Sequence, residues 1–166
     1  MLNVFYSSGQ LNKAQLQQVY EQSILEDGQK RYRTLPEQLQ ILRATEDFYH
    51  YIDLFLGDEK SVYAVWVTDG VYSAALRVEG YRDGYLLSGL ETAPRSRRKG
   101  CATALVRSVQ EFLSQFGHYK LYSHVDRNNE ASLQVHRKCE FSRILEYAVY
   151  IDGSVSHNAC TLCYEA

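Results

Sequence analysis

The sequence contains no apolar run that approaches the roughly 20 residues needed to cross a bilayer, which excludes a transmembrane helix. Residues Met1 to Gln10 lack the basic flank and long apolar stretch of a secretory signal peptide. The chain also lacks an excess of positive charge: its net charge is −2, so no global field attracts nucleic acid or anionic lipid. We therefore expect a cytoplasmic protein with no membrane and no nucleic-acid partner.

Cysteines are few and do not follow a common metal-binding pattern. Only Cys160 and Cys163 form a C-x-x-C pair, and no second pair of cysteines or histidines stands at zinc-ligand spacing. Because disulfides belong to oxidising compartments, we expect reduced, structural thiols and no bound metal. A zinc or redox role for the C-x-x-C pair is the alternative interpretation.

No internal repeat or low-complexity linker divides the chain. Its 166 residues fit one domain, which we expect to span residues 1–166. The hydrophobic fraction of 45% and the charged fraction of 23% are typical of globular domains and not of disordered chains.

The first third of the chain predicts a strand and then helices. These elements are a strand over Leu2–Tyr6, a helix over Lys13–Tyr20 capped by Asn12 and broken or restarted at Asp27-Gly28, and a helix from Pro36 to about Gly57. The period then changes to that of strands over Ser61–Thr68, Val71–Val78 and Tyr85–Glu91, which are joined by the Asp-Gly turns at 69–70 and 83–84. Three such strands predict an antiparallel meander.

The last part alternates helices and strands. An apolar stripe predicts a helix from about Lys99 to Phe116. There follow a strand over Tyr119–Val125, a helix from Asn129 to about Cys139, and two strands, Arg143–Ile151 and Val155–Tyr164, paired across Asp152-Gly153. Strand–helix–strand units give parallel pairs and hairpins give antiparallel ones, so we predict an α/β fold. Its sheet is mixed, mostly antiparallel and twisted, with about seven strands and helices on both faces.

One turn carries the chemical signal. Arg97, Arg98 and Lys99 stand just before Gly100, between a predicted strand and the start of a predicted helix. Unpaired backbone amides and the helix dipole make such a start favourable for an anion, whereas cations there are slightly unfavourable without one. Gly100 and the small Ala102 would let phosphates approach the backbone closely. The alternative is a solvated basic loop.

Two motifs resemble those of the GNAT superfamily of N-acetyltransferases. Arg97-x-x-Gly100-x-Ala102 is similar to the acetyl-coenzyme A motif of that family, Gln/Arg-x-x-Gly-x-Gly/Ala. The stretch from Asn129 to Phe141 resembles the next helix of the family, Asn-x-x-Ala-x-x-Leu-Tyr-x-Lys-x-Gly-Phe. His136 stands here where the family has Tyr, and Glu140 where it has Gly.

The resemblance implies a set of site residues. Acetyl-coenzyme A would be held by Leu90, Thr92, Arg97, Arg98, Lys99, Gly100, Cys101, Ala102 and Asn129. The pantetheine arm would lie where the strands Tyr85–Thr92 and Tyr119–Val125 diverge. His136 would be the general acid, with packing or a hydrogen bond to coenzyme A as its alternative role. Glu91 would be the base, with an ion pair to Arg95 or Arg97 as its alternative role.

The resemblance implies an acetyl-coenzyme A-dependent N-acetyltransferase that acts by direct transfer in a ternary complex, with a small-molecule or protein amine as acceptor. The resemblance leaves open whether the protein forms a homodimer. The alternative function is a non-catalytic acyl-coenzyme A-binding or regulatory module. Nucleic-acid binding through Arg95 to Lys99 is disfavoured by the net charge and the absence of a basic stripe.

Overall fold

The computed structural model describes all residues from Met1 to Ala166. The helices are α1 (Lys13–Val19), α2 (Glu21–Arg31), α3 (Glu37–Phe55), α4 (Cys101–Ser114) and α5 (Glu130–Lys138). The strands are β1 (Leu2–Phe5), β2 (Val62–Thr68), β3 (Val71–Tyr81), β4 (Gly84–Thr92), β5 (Lys120–Asp126), β6 (Ser142–Leu145), β7 (Ala148–Val149), β8 (Val155–Ser156) and β9 (Ala159–Glu165). None of the helices is both long and apolar enough to span a membrane.

Seven of the strands form one mixed sheet in the order β1-β2-β3-β4-β5-β9-β6. Every neighbouring pair is antiparallel except β4 and β5, which are parallel and are connected through α4. This confirms the predicted mixed sheet of about seven strands and the meander of β2, β3 and β4. Strands β7 and β8 form a separate hairpin.

Helices cover both faces of the sheet, as predicted. On one face, Leu105 and Val109 of α4 pack with Leu133 of α5 over Leu76 and Leu121 of the sheet. On the other face, α1, α2 and α3 pack over Tyr63, Val65 and Ala75, which alternate along their strands with residues of the first core. The face covered by α1 to α3 is called the α2 face below.

Several predicted boundaries were wrong. Asp27-Gly28 does not break a helix, because α2 continues through it to Arg31. A Cβ at Gly28 would lie 2.8 Å from the carbonyl oxygen of Gln40, so this glycine lets α2 approach α3 closely. Helix α4 begins at Cys101 and not at Lys99, and it ends at Ser114.

The two long strands predicted at the C-terminal end are four short ones. Strands β6 and β9 pair within the main sheet, and only the short β7 and β8 pair across the Asp152-Gly153 turn. The chain bends away from β6 after Leu145, so continuous β-propensity did not reveal the break.

Candidate functional site

The basic turn before α4 has the backbone geometry of an anion-binding site. Arg98 and Gly100 both have left-handed φ angles, 61° and 80°. The amides of Arg98, Lys99 and Gly100 donate no hydrogen bond to the protein backbone, and first-turn amides such as that of Ala102 lack intrahelical partners. Successive free N–H groups in such a turn form a concavity that suits a phosphate.

The cations of this turn divide into two pairs. Arg95 donates to Gln18 Oε1 at 3.1 Å, and Arg97 donates to Gln22 Oε1 at 2.7 Å. These two side chains therefore tie the turn to α1 and α2. Arg98 and Lys99 are exposed and take part in no ion pair within the protein. They supply the positive charge that remains available to a ligand.

Strands β4 and β5 pair only at the end remote from this turn. The parallel ladder covers Tyr85, Leu86 and Leu87 and then stops, while β3 stays paired with β4 as far as Thr92. Beyond Leu87 the edge of β4 that faces β5, including Leu90 and Thr92, has no partner strand. This V-shaped opening is where an extended arm can add to the free edge of β4.

A bulge in β4 lies beside this opening. The register between β3 and β4 shifts between Ala75 and Arg77, and Gly89 opposite has a left-handed φ of 57°. A Cβ at Gly89 would lie 2.7 Å from the Nη2 atom of Arg77. The Tyr20 hydroxyl donates to the Gly89 carbonyl at 2.5 Å. Sequence reasoning missed the bulge, although a glycine inside a strand is its usual signal.

Glu91 lies on the α2 face, next to the bulge. Its carboxylate accepts a hydrogen bond from the Ser23 hydroxyl of α2, and it forms no ion pair with Arg95 or Arg97. Burial raises the pKa of Glu91, and the Ser23 hydrogen bond opposes part of that rise. A carboxylate with a raised pKa is better matched to accepting a proton from an amine.

His136 is buried, with 1% of its surface exposed. Its Nδ1 lies 2.8 Å from the Ser132 carbonyl oxygen, so Nδ1 carries the hydrogen and donates. Its Nε2 is enclosed and has no hydrogen-bond partner. Burial lowers the pKa of His136, and the Ser132 carbonyl opposes that effect in part. The lowered pKa and the enclosed, unpartnered Nε2 both favour the neutral imidazole in the free protein.

The free energy of unfolding should fall as the pH drops below about 6.5, the usual histidine pKa. The unfolded chain then binds a proton at His136 that the folded chain excludes because burial lowers this pKa. His124 adds to the effect, since burial and then Arg82 lower its pKa. The slope contributed by each such histidine cannot exceed about 1.4 kcal/mol per pH unit. Urea unfolding at several pH values measures it.

His136→Phe should flatten this slope, while a phenylalanine at the exposed His157 serves as control. An unchanged slope in the His136 variant would show that this side chain does not resist protonation.

The remaining site candidates have structural contacts of their own. Asn129 caps α5, because its Oδ1 accepts from the Ser132 amide at 3.0 Å, and its exposed amide group stays free to donate. Cys101 is buried in the first turn of α4. Cys160 packs into the α4 side of the sheet and Cys163 beside the Tyr81 cluster on the other side, so the pair does not share a metal.

A surface cavity of about 760 Å³ lies at the other end of the fold. It is lined by the β3–β4 turn and by the C-terminal end of α4, including Gly84 and Phe116. The basic turn precedes the N-terminal end of that helix, so this cavity is not part of the candidate site.

A family model for the acetyltransferase (GNAT) family matches residues 24–141, which include β4, the basic turn, α4 and α5. The chain belongs to this GNAT family. No curated protein matches the sequence closely enough to count as a relative.

Solved structures of GNAT proteins share the fold over nearly the whole chain. The IAA acetyltransferase from Bacillus cereus is 13% identical, with a TM-score of 0.64, and covers 100% of this chain and 99% of its own. The PaiA N-acetyltransferase from Thermoplasma acidophilum, in complex with coenzyme A, is 11% identical, with a TM-score of 0.65 and the same coverage. The ribosomal-protein-S18-alanine N-acetyltransferase from Escherichia coli is 17% identical, with a TM-score of 0.61, covering 99% and 94%. At these identities the likeness concerns the fold alone.

Proposed function

We propose that this GNAT protein transfers acetyl from acetyl-coenzyme A to a primary amine by direct attack in a ternary complex. The observation that carries the proposal is that two backbone surfaces of the site both lack hydrogen-bond partners. The amides of Arg98 to Gly100 are unpaired at the start of α4, and the edge of β4 is unpaired from Ser88 onward. One surface suits a pyrophosphate and the other suits the amide groups of a pantetheine arm.

Two side chains match the demands of amide formation, Glu91 beside the bulge and His136 on α5. A bond forms between the amine nitrogen and the acetyl carbon, the carbon–sulfur bond breaks, the amine loses a proton and the thiolate gains one. Glu91 is the carboxylate beside the bulge and takes the proton from the amine. His136, once protonated at Nε2, supplies the proton to sulfur while Nδ1 stays bound to the Ser132 carbonyl.

The second candidate is a non-catalytic acyl-coenzyme A-binding module. It is favoured by the surroundings of His136, because burial lowers its pKa and its enclosed Nε2 has no hydrogen-bond partner. A module of this kind keeps the phosphate-binding turn and has no working acid.

Thiol release with a panel of primary amines, measured beside coenzyme A binding by calorimetry, separates the two functions. Transfer predicts binding together with amine-dependent thiol release. Binding without thiol release for any amine supports the module, and absence of binding contradicts both.

Cys101→Ala should retain most of the activity, because direct attack by the amine needs no protein nucleophile. The Cys101 thiol lies in the first turn of α4 and packs in the core, where alanine causes only a small loss of contacts. Initial rates with both substrates varied should give intersecting lines, as a ternary complex requires. Parallel lines, together with loss of activity in the alanine variant, would indicate an acetyl-cysteine intermediate instead.

A further inference from the structure

Arg77 of β3 is a partly buried cation that forms no ion pair within the protein. Its side chain points to the α2 face. Its Nε is enclosed and has no hydrogen-bond partner. A guanidinium does not lose its charge at any physiological pH, so burial without an acceptor is unfavourable in the free protein.

Aromatic rings surround this guanidinium. It lies 4.8 Å from the centre of the Tyr51 ring and 5.8 Å from that of Phe55, which gives two cation–π contacts. The Tyr63 hydroxyl, on the same face, also has no partner. Tyr51 is 39% exposed and Arg77 itself is half-buried, so a small molecule can reach the guanidinium from solvent.

The position of Arg77 links it to the reacting groups. Its Nη2 lies against Gly89, the bulge residue, and Glu91 follows two residues later on β4. Glu79 and Glu91 also face the α2 side, yet neither is within ion-pair distance of Arg77. The N–H groups of the Arg77 guanidinium are therefore available to donate hydrogen bonds to a ligand that lies over the bulge.

We propose that the acceptor of this enzyme is a small amine that also carries an anionic oxygen group, a carboxylate or a phosphate, and that Arg77 binds this group. The inference rests on the proposed acetyl transfer and narrows its acceptor. A planar guanidinium binds carboxylate and phosphate oxygens through two parallel hydrogen bonds, which fixes both distance and orientation. Binding the anion at Arg77 holds the amine beside Glu91 and the open edge of β4.

Matched acceptors test the proposal. Glycine, β-alanine and phenylalanine are compared with their amides, and O-phosphoethanolamine is compared with ethanolamine, in the wild type and in Arg77→Gln. We expect the variant to lower kcat/KM for the anionic member of the preferred pair about 10- to 100-fold, through KM, and to leave the neutral member unchanged. In the amide of an amino acid the amine has a lower pKa than in the free amino acid, and this alone changes its reactivity. For each acceptor we therefore compare the ratio of kcat/KM between the wild type and the variant.

Two further variants control the result. Arg77→Lys keeps the charge without the fork and should recover only part of the loss. Arg82→Gln removes an arginine that also stacks on a tyrosine, 5.1 Å from the Tyr81 ring, but outside the site, and should change neither member of a pair. An equal loss for both members of each pair in Arg77→Gln would overturn the proposal and make Arg77 a packing residue.

A binding measurement separates failure of this inference from failure of the proposed function. N-acetylglycine and N-acetylglycinamide, and the N-acetyl derivatives of the other pairs, are titrated into protein saturated with coenzyme A. Tighter binding of the anionic members, lost in Arg77→Gln, supports the anion site even if no amine releases thiol. Thiol release without any preference for anionic acceptors, or no difference in binding within any pair, rejects the anion site and leaves acetyl transfer standing.

Discussion

Replacing Gly100 with valine is expected to raise the dissociation constant for coenzyme A about 100-fold, which corresponds to about 2.7 kcal/mol. Gly100 has a φ of 80°, where a branched residue is strained, so the turn must change its conformation to accept valine. The free amides would then no longer point at one phosphate, and each lost charge-assisted hydrogen bond costs about 1.5–3 kcal/mol. Isothermal calorimetry measures the change.

Gly117→Val is the matched control for this variant. Gly117 stands beyond the opposite end of the same helix, has a φ of 103°, and likewise has no atom within 4 Å of an added Cβ. Both variants should therefore lose a similar amount of stability, about 1–2 kcal/mol for a left-handed residue. Only the Gly100 variant should lose coenzyme A affinity. Equal affinity for coenzyme A in the two variants would contradict the hypothesis that the turn before α4 binds the phosphates.

Replacing His136 with phenylalanine should lower turnover by about 10²- to 10⁴-fold, the usual effect of removing a positioned proton donor. The exchange preserves an aromatic ring of similar size against Phe141, whose ring centre lies 4.9 Å from that of the imidazole. Coenzyme A affinity and the folded structure should consequently change little. Steady-state kinetics and calorimetry on the same preparation measure the two effects separately.

His136→Tyr is the informative partner of that variant. Tyrosine stands at this position in the family motif, and its hydroxyl extends from the same helix face, so it should restore a good part of the turnover. If the phenylalanine variant turns over as fast as the wild type, His136 has a packing role and the proton comes from water.

Much of the site could be predicted because it depends on local sequence. Glycine before an apolar helical stripe indicates a helix start, and a strand before it places the turn at the end of that strand. Gly100 is indeed the N-terminal cap of α4 in a left-handed conformation. The divergence of β4 from β5 followed from the family resemblance, and the short parallel ladder agrees with it.

The surroundings of the β4 bulge could not be predicted, since they depend on residues far apart in the chain. Tyr20 and Gly89 are 69 positions apart, and their hydrogen bond requires the junction of α1 and α2 to lie next to the bulge. Arg77 gave a weak signal, a charge within a largely apolar strand, but only the fold reveals that no carboxylate lies within ion-pair distance of it. Likewise Gly28 indicated a helix break, and only the packing of α2 on α3 explains why a glycine stands there.

Incubation with acetyl-coenzyme A labelled with deuterium in the acetyl group, followed by mass spectrometry of the amine and of the protein, tests the central claim most directly. Direct transfer predicts labelled acetyl on the amine nitrogen, an equal amount of released thiol, and no label on the protein. Coenzyme A binding without label on any amine would contradict the account, as would labelled acetyl retained on Cys101.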